Sequence, residues 1–248
     1  MQFLKLSKRF LIDSQIFVAL SGTLFATFFM LKQNVFRFDV FALVFITYFN
    51  GYLYTKFQNQ NKLHKILFIN ILSFAICGFI FYFLPSIIFY KWLLIAILGL
   101  LYNSFFLERY IREIPLLKVF YVGLVWALIN AWLCLPDFNS PIFIISFLYI
   151  SALVLPFDIR DMRADNIVTF PKIIGIQNTK YLAYLLIFIA NLCSIFWCEF
   201  GYSLAFYLSS VVAFILIYHS ENENKENYFS VFVESCSLLP FLFLILLD

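Results

Sequence analysis

Charge is what this chain has least of. Of 248 residues, 17 are Lys or Arg and 14 are Asp or Glu, 12% in all, and only two are histidines. A soluble domain of this length needs a charged, patch-free exterior, and so few ionisable side chains cannot provide one. The small net charge of +3 is scattered over short segments, which excludes a basic nucleic-acid-binding stripe. Cysteine is scarce and odd in number. Cys77, Cys134, Cys193, Cys198 and Cys236 lie in or beside apolar runs with no C-x-x-C pair, so they are expected to be small buried hydrophobes instead of disulfide or zinc sites. Seven glycines are too few for the broken helices of a transporter. No internal repeat, inverted half or long linker divides the chain, which is expected to form a single integral-membrane domain over 1–248.

What fills the chain is apolar. Hydrophobic residues make up 64% and aromatics 22%, with 35 Phe and 15 Tyr. This composition belongs in a bilayer, and the fold class expected is all-α, a polytopic bundle of about nine transmembrane helices. Because a spanning helix needs roughly 20 apolar residues, cutting at clusters of charge, Pro and Asn gives spans near 14–31, 38–54, 66–84, 90–106, 117–135, 141–157, 181–198, 203–218 and 231–247. The stretch from Ser14 lacks a small-x-small cleavage site and is expected to be a retained span rather than a processed signal. With the N-terminus in the cytoplasm, inner segments hold Lys5, Lys8, Arg9, Lys56, Lys62, Lys65, Arg109, Arg112, Lys118, Arg160, Arg163, Lys172, Lys180 and Lys225, whereas outer segments hold Lys32, Arg37 and Lys91. That asymmetry follows the positive-inside rule and supports an odd number of spans. The expected location is an inner membrane of bacterial type.

Chemistry is expected on the cytoplasmic side, where the loops are longer and more polar. After the sixth span, Asp158, Asp161 and Asp165 recur at i, i+3 and i+7. On a helix, at about 100° per residue, they fall within roughly 60° of one another. Arg160 and Arg163 lie one, two or five positions from every aspartate, not the three or four that pairs along a helix require, so they are expected to point elsewhere. Like charges on one face need a cation among them, and hard oxygen ligands suit Mg²⁺, which is commonly held by one or two carboxylates and a substrate phosphate. The plainer alternative is a solvated, non-helical acidic loop. After the fourth span, Glu108 with Arg112 and Arg109 with Glu113 form i, i+4 pairs of a surface helix, although Arg112 and Lys118 remain candidates for an anionic ligand. The run from Glu221 to Asn227 reads as a solvated turn. Glu234, inside the last span, is a functional candidate because intramembrane carboxylates are costly.

These motifs resemble the UbiA superfamily of intramembrane prenyltransferases over nearly the whole chain. The family's second aspartate-rich motif, followed by Thr-x-Pro and an apolar-Gly stretch, is matched by Asp158-x-x-Asp161-x-x-x-Asp165 and by Thr169-Phe170-Pro171-Lys172-Ile173-Ile174-Gly175. Tyr102-Asn103-Ser104 and Pro115-Leu116-Leu117-Lys118 are similar to the family's segment after the fourth span. The resemblance implies nine helices, Mg²⁺ on Asp158, Asp161 and Asp165, and transfer of a polyprenyl group from an allylic diphosphate to a lipophilic acceptor. It also implies substrate contacts from Asn50, Tyr54, Arg112 and Lys118. One departure stands out: where the family's first aspartate-rich motif has its carboxylates, this chain has Gly51, Tyr54 and Gln58 beside a retained Asn50. The alternative implied is a non-catalytic, lipid-binding or assembly protein on the same scaffold.

Overall fold

A computed structural model describes residues 15–57, 63–102, 114–163 and 167–247. Among them there are nine α-helices and no strands: α1 (Ile16–Lys32), α2 (Phe38–Phe57), α3 (Leu63–Phe83), α4 (Ser86–Tyr102), α5 (Leu117–Leu128), α6 (Ser140–Asp161), α7 (Phe170–Trp197), α8 (Phe200–Tyr218) and α9 (Leu239–Leu247). Two π-helical segments, Ile129–Leu133 and Tyr228–Val233, extend α5 and precede α9. Among the described residues, three helices, α6, α7 and α8, are both long and apolar enough to cross a membrane, and shorter apolar helices include α1, α4 and the α5 unit. The protein is an integral membrane protein with the all-helical architecture expected.

The core is built from large aromatics fitted round small residues. Phe25, Phe28, Phe29, Tyr149 and Phe206 are almost wholly buried, and edge-on contacts such as Phe25 with Phe29, at 5.0 Å between centroids, hold them in place. Several buried hydroxyls close on their own helix, as Thr23 Oγ1 donates to the Ala19 carbonyl at 2.7 Å and Ser209 Oγ to that of Ala205 at 2.7 Å. Each hydroxyl thus satisfies itself where water is absent. At the start of α6, Asn139 accepts from the Ile142 amide at 3.1 Å, with Pro141 in the first turn, a side-chain cap and a proline where a helix tolerates one.

Connections at each end are tied together as an up-and-down chain requires. Lys91, 4% exposed, donates to the carbonyls of Trp132, Leu135 and Pro136 at 2.9, 2.8 and 2.8 Å, closing the end of the α5 unit. At the opposite end, Lys180 donates to the Tyr218 carbonyl at 2.8 Å and to Glu221 at 2.6 Å, and Asn222 donates to the Ile159 and Arg160 carbonyls at 3.0 and 2.9 Å. The Glu221–Asn227 run is therefore not merely a solvated turn: its first two residues clamp the ends of α6, α7 and α8. All five cysteines are free thiols, as their apolar settings predict.

Two spans differ from expectation. Helix α7 begins at Phe170, eleven residues before the span placed at 181, because Pro171 opens a short helical piece that bends at Gly175, where φ is +81° and ψ 163°. Only glycine adopts that conformation without strain. The last span is broken: after the π-helical Tyr228–Val233, the chain turns near Ser237 before α9 resumes at Leu239. Tyr149 donates to the Cys236 carbonyl at 2.9 Å and Ser237 to that of Glu234 at 2.9 Å, so the broken backbone is satisfied from within the bundle.

Candidate functional site

Helices α5 and α6 bring the site together. Gly123 on α5 lies so close to α6 that a Cβ there would sit 2.3 Å from Ser151 Oγ and 3.0 Å from the Phe147 carbonyl oxygen. Just before α5, Leu116 has φ +65°, a left-handed conformation that a branched side chain rarely accepts; strain of this kind clusters at functional sites. It turns the chain so that Lys118 begins the helix against α6. There Lys118 Nζ lies 3.0 Å from Asp158 Oδ1, with the side chains 17% and 2% exposed. A carboxylate so buried needs a partner, and the lysine supplies it.

One helical turn on, Asp161 takes both hydrogen bonds of a forked pair from its neighbour, Arg160, at 2.6 and 2.8 Å. This corrects, for Arg160, the expectation that the arginines point elsewhere. Asp161 is the last residue of α6, and the guanidinium folds back over the rings of Phe157 and Phe229, 5.2 and 5.8 Å from their centroids. Stacking of this type selects arginine over lysine. The helical spacing rule fails here because the contact is made by a long side chain pinned on aromatic faces at a helix end.

Lys118, Arg160, Asp161 and Glu234 line one cavity of about 200 Å³, together with Tyr52, Phe157, Val233 and Ser237. Both signs of charge thus meet in a small space, and Glu234, flagged only as an intramembrane carboxylate, is part of it. A larger chamber of about 510 Å³ adjoins it, lined by Asn50, Gly51 and Tyr54, the positions of the degenerate first motif, and by Asn70, Phe74, Trp92, Tyr102 and Tyr121. The two spaces share a wall of Tyr52, Val122 and Trp126, in which the Trp126 indole donates to the Tyr52 hydroxyl at 3.1 Å. Among the described residues, no Asp, Glu, Lys, Arg or His lines the larger chamber. The predicted residues therefore divide: Lys118 and Asp161 lie at the charged cavity, Asp158 braces Lys118, and Asn50 and Tyr54 lie at the neutral chamber. Asp165 and Arg112, with the pairs predicted around Glu108, lie outside the described residues. Arg160 was missed as a site residue; the signal available was its place beside two aromatics, Phe157 in sequence and Phe229 only in space.

No protein-family model matches the chain, and no curated protein does either. Among solved structures, that of a digeranylgeranylglyceryl phosphate synthase in membranes superposes with a TM-score of 0.60 at 14% identity, covering 99% of this chain and 98% of the other. The chain shares the fold of that synthase. At such low identity the likeness concerns backbone architecture, and what the fold does here has to be argued from its own side chains.

The donor set at this cavity suits a divalent cation. Asp158 and Asp161 offer hard carboxylate oxygens one turn apart, and Asp161 borders the cavity, which fits Mg²⁺ in its usual mode of one or two carboxylates completed by phosphate oxygens. Lys118 and Arg160 engage these same carboxylates, so the cation must compete with them.

Proposed function

We propose that this protein is a membrane prenyltransferase that moves a polyprenyl group from an allylic diphosphate to a lipophilic acceptor, with Mg²⁺ held by Asp158, Asp161 and Asp165. The observation that carries this reading is the charged cavity abutting an apolar, aromatic chamber across a single wall. Lys118 and Arg160 bind the diphosphate oxygens, Arg160 through the guanidinium N–H groups that Asp161 does not engage and Lys118 as a point charge; Arg112 adds a further anchor. A bound Mg²⁺ supplies charge neutralisation of the leaving group. The isoprenoid chain extends past Tyr52 and Trp126 into the larger chamber, where Asn50 and Tyr54 border the acceptor. The allylic C–O bond breaks with its electron pair leaving on the diphosphate, and the acceptor's nucleophilic atom bonds to the allylic carbon. The proton it loses passes to Glu234 or to the departing diphosphate. Aromatic walls exclude water from the cation and stabilise it through their faces. The distribution of basic residues supports a cytoplasmic N-terminus and a cytoplasmic site, in an inner membrane of bacterial type.

A second reading rests on a specific feature. Asn50, Gly51 and Tyr54 stand at the larger chamber, and no carboxylate lines it among the described residues, which favours a lipid-binding protein on a transferase scaffold. Diphosphate release from geranylgeranyl diphosphate by the purified protein, with and without Mg²⁺ and against Asp161→Ala, separates the two. Prenyl transfer predicts release that needs the metal and is lost in the variant. Bound isoprenoid without release, across chain lengths and acceptors, supports the lipid-binding protein.

A further inference from the structure

Three residues lining the larger chamber carry buried side-chain oxygens with no hydrogen-bond partner among the described residues: Tyr48 Oη, Asn50 Oδ1 and Asn70 Oδ1. Buried polar atoms are almost always paired, and one left unpaired in an apolar setting is costly. Three of them round one cavity, drawn from α2 and α3, require an explanation. Tyr48 is not there by accident of loose packing. Gly22 has no side chain and leaves room for its ring, which a Cβ would meet at 2.8 Å, and the ring lies 4.7 Å from that of Trp126.

The chemistry of the three atoms limits what completes them. The two amide oxygens accept only, whereas the phenol both donates and accepts. The complementary molecule therefore offers two donors. It carries no formal charge, because none of the described residues lining the chamber is an acid, amine, guanidine or imidazole that could balance one. It is lipophilic, because apart from Thr47 and Thr55 the remaining walls are aromatic and aliphatic, and two of the lining residues, Ile71 and Phe74, are 67% and 56% exposed, so this side of the chamber meets the lipid phase.

We propose that the larger chamber binds an uncharged lipophile with at least two hydroxyl groups, held by Tyr48, Asn50 and Asn70. Taken with the prenyl-transfer reading, on which this part rests, that molecule is the acceptor, and its class is a neutral diol or dihydroxy compound instead of an anionic lipid.

The test uses the full-length protein in nanodiscs, without diphosphate or Mg²⁺, and tritiated 1-oleoylglycerol as probe, compared with its dimethyl ether and with oleate. Expected is saturable binding of 1-oleoylglycerol about tenfold tighter than of the diether, as one or two hydrogen bonds provide, and no preference for oleate over the diether. Tyr48→Phe and Asn70→Leu each weaken 1-oleoylglycerol about five- to tenfold, and Asn70→Leu, which removes an oxygen that only a hydroxyl can serve, leaves the diether unchanged, which also reports that the chamber is intact. Equal affinity for diol and diether, no saturable binding, or variants that bind as the wild type overturns the site. Failure here leaves diphosphate release untouched, while absence of release in the transfer assay leaves a diol-binding chamber standing, so the two proposals fail separately.

Discussion

Replacing Lys118 by methionine keeps most of the side chain's bulk and removes its charge, which isolates the ion pair to Asp158. Were the pair on the surface, its loss would cost at most about 1 kcal/mol. With Asp158 only 2% exposed and Lys118 17% exposed, the buried case applies, and removing one partner costs about 3–5 kcal/mol because the other charge stays behind. The partial exposure of the lysine places the expectation at the lower end, about 3 kcal/mol, or roughly a 150-fold change in the unfolding equilibrium. The assay is SDS-driven unfolding in detergent micelles followed by tryptophan fluorescence. Lys118→Met with Asp158→Leu removes both charges and should return stability to within about 1 kcal/mol of wild type, as hydrophobic replacement of whole buried pairs does. The cycle then gives a coupling of at least about 2 kcal/mol. A single variant that costs less than about 1 kcal/mol, with a double variant equal to the sum of its parts, would refute a buried pair at the core of the site.

Other perturbations follow from particular contacts. Gly123→Ala forces a Cβ against Ser151 and the Phe147 carbonyl. It should cost about 1–3 kcal/mol in the same unfolding assay and lower diphosphate release, with partial recovery on adding Ser151→Gly. Lys91→Met strands three carbonyls. At about 1–3 kcal/mol for an unsatisfied buried group, it should be among the most destabilising single changes, read as loss of monodisperse protein at elevated temperature, and a neutral outcome would contradict the capping role. At Gly175 no atom crowds an added methyl, so Gly175→Ala should cost only what its positive φ demands, about 1–3 kcal/mol, with no change in diol binding at Tyr48.

Much of the fold can be read from the chain because spans announce themselves as apolar runs, and α2, α5 and α6 start within a few residues of expectation. Where the reading slips, polar or proline residues are accommodated by neighbours invisible in one dimension: Pro171 opens α7 early, and Tyr149 satisfies the break near Cys236. The charged site was partly legible. Asp161 borders the cavity as the acidic spacing suggests, but Asp158 meets Lys118 from 40 positions away, and Arg160 reaches Asp161 only because Phe157 and Phe229 hold its guanidinium. The neutral chamber was least legible. Tyr48 and Asn70 belong to no spacing rule and acquire meaning only when α2 and α3 set their oxygens round one space.

The central claim is that the cavity of Lys118, Arg160 and Asp161 activates an allylic diphosphate for transfer. Its most direct test is single-turnover incubation of tritiated geranylgeranyl diphosphate with the protein in nanodiscs containing 1-oleoylglycerol and Mg²⁺, followed by mass analysis of the lipid extract. The account predicts a prenylated glyceride in wild type, reduced at least tenfold by Arg160→Gln and by Asp161→Ala. Label that stays wholly in the diphosphate, or product formed equally well by both variants, would contradict it.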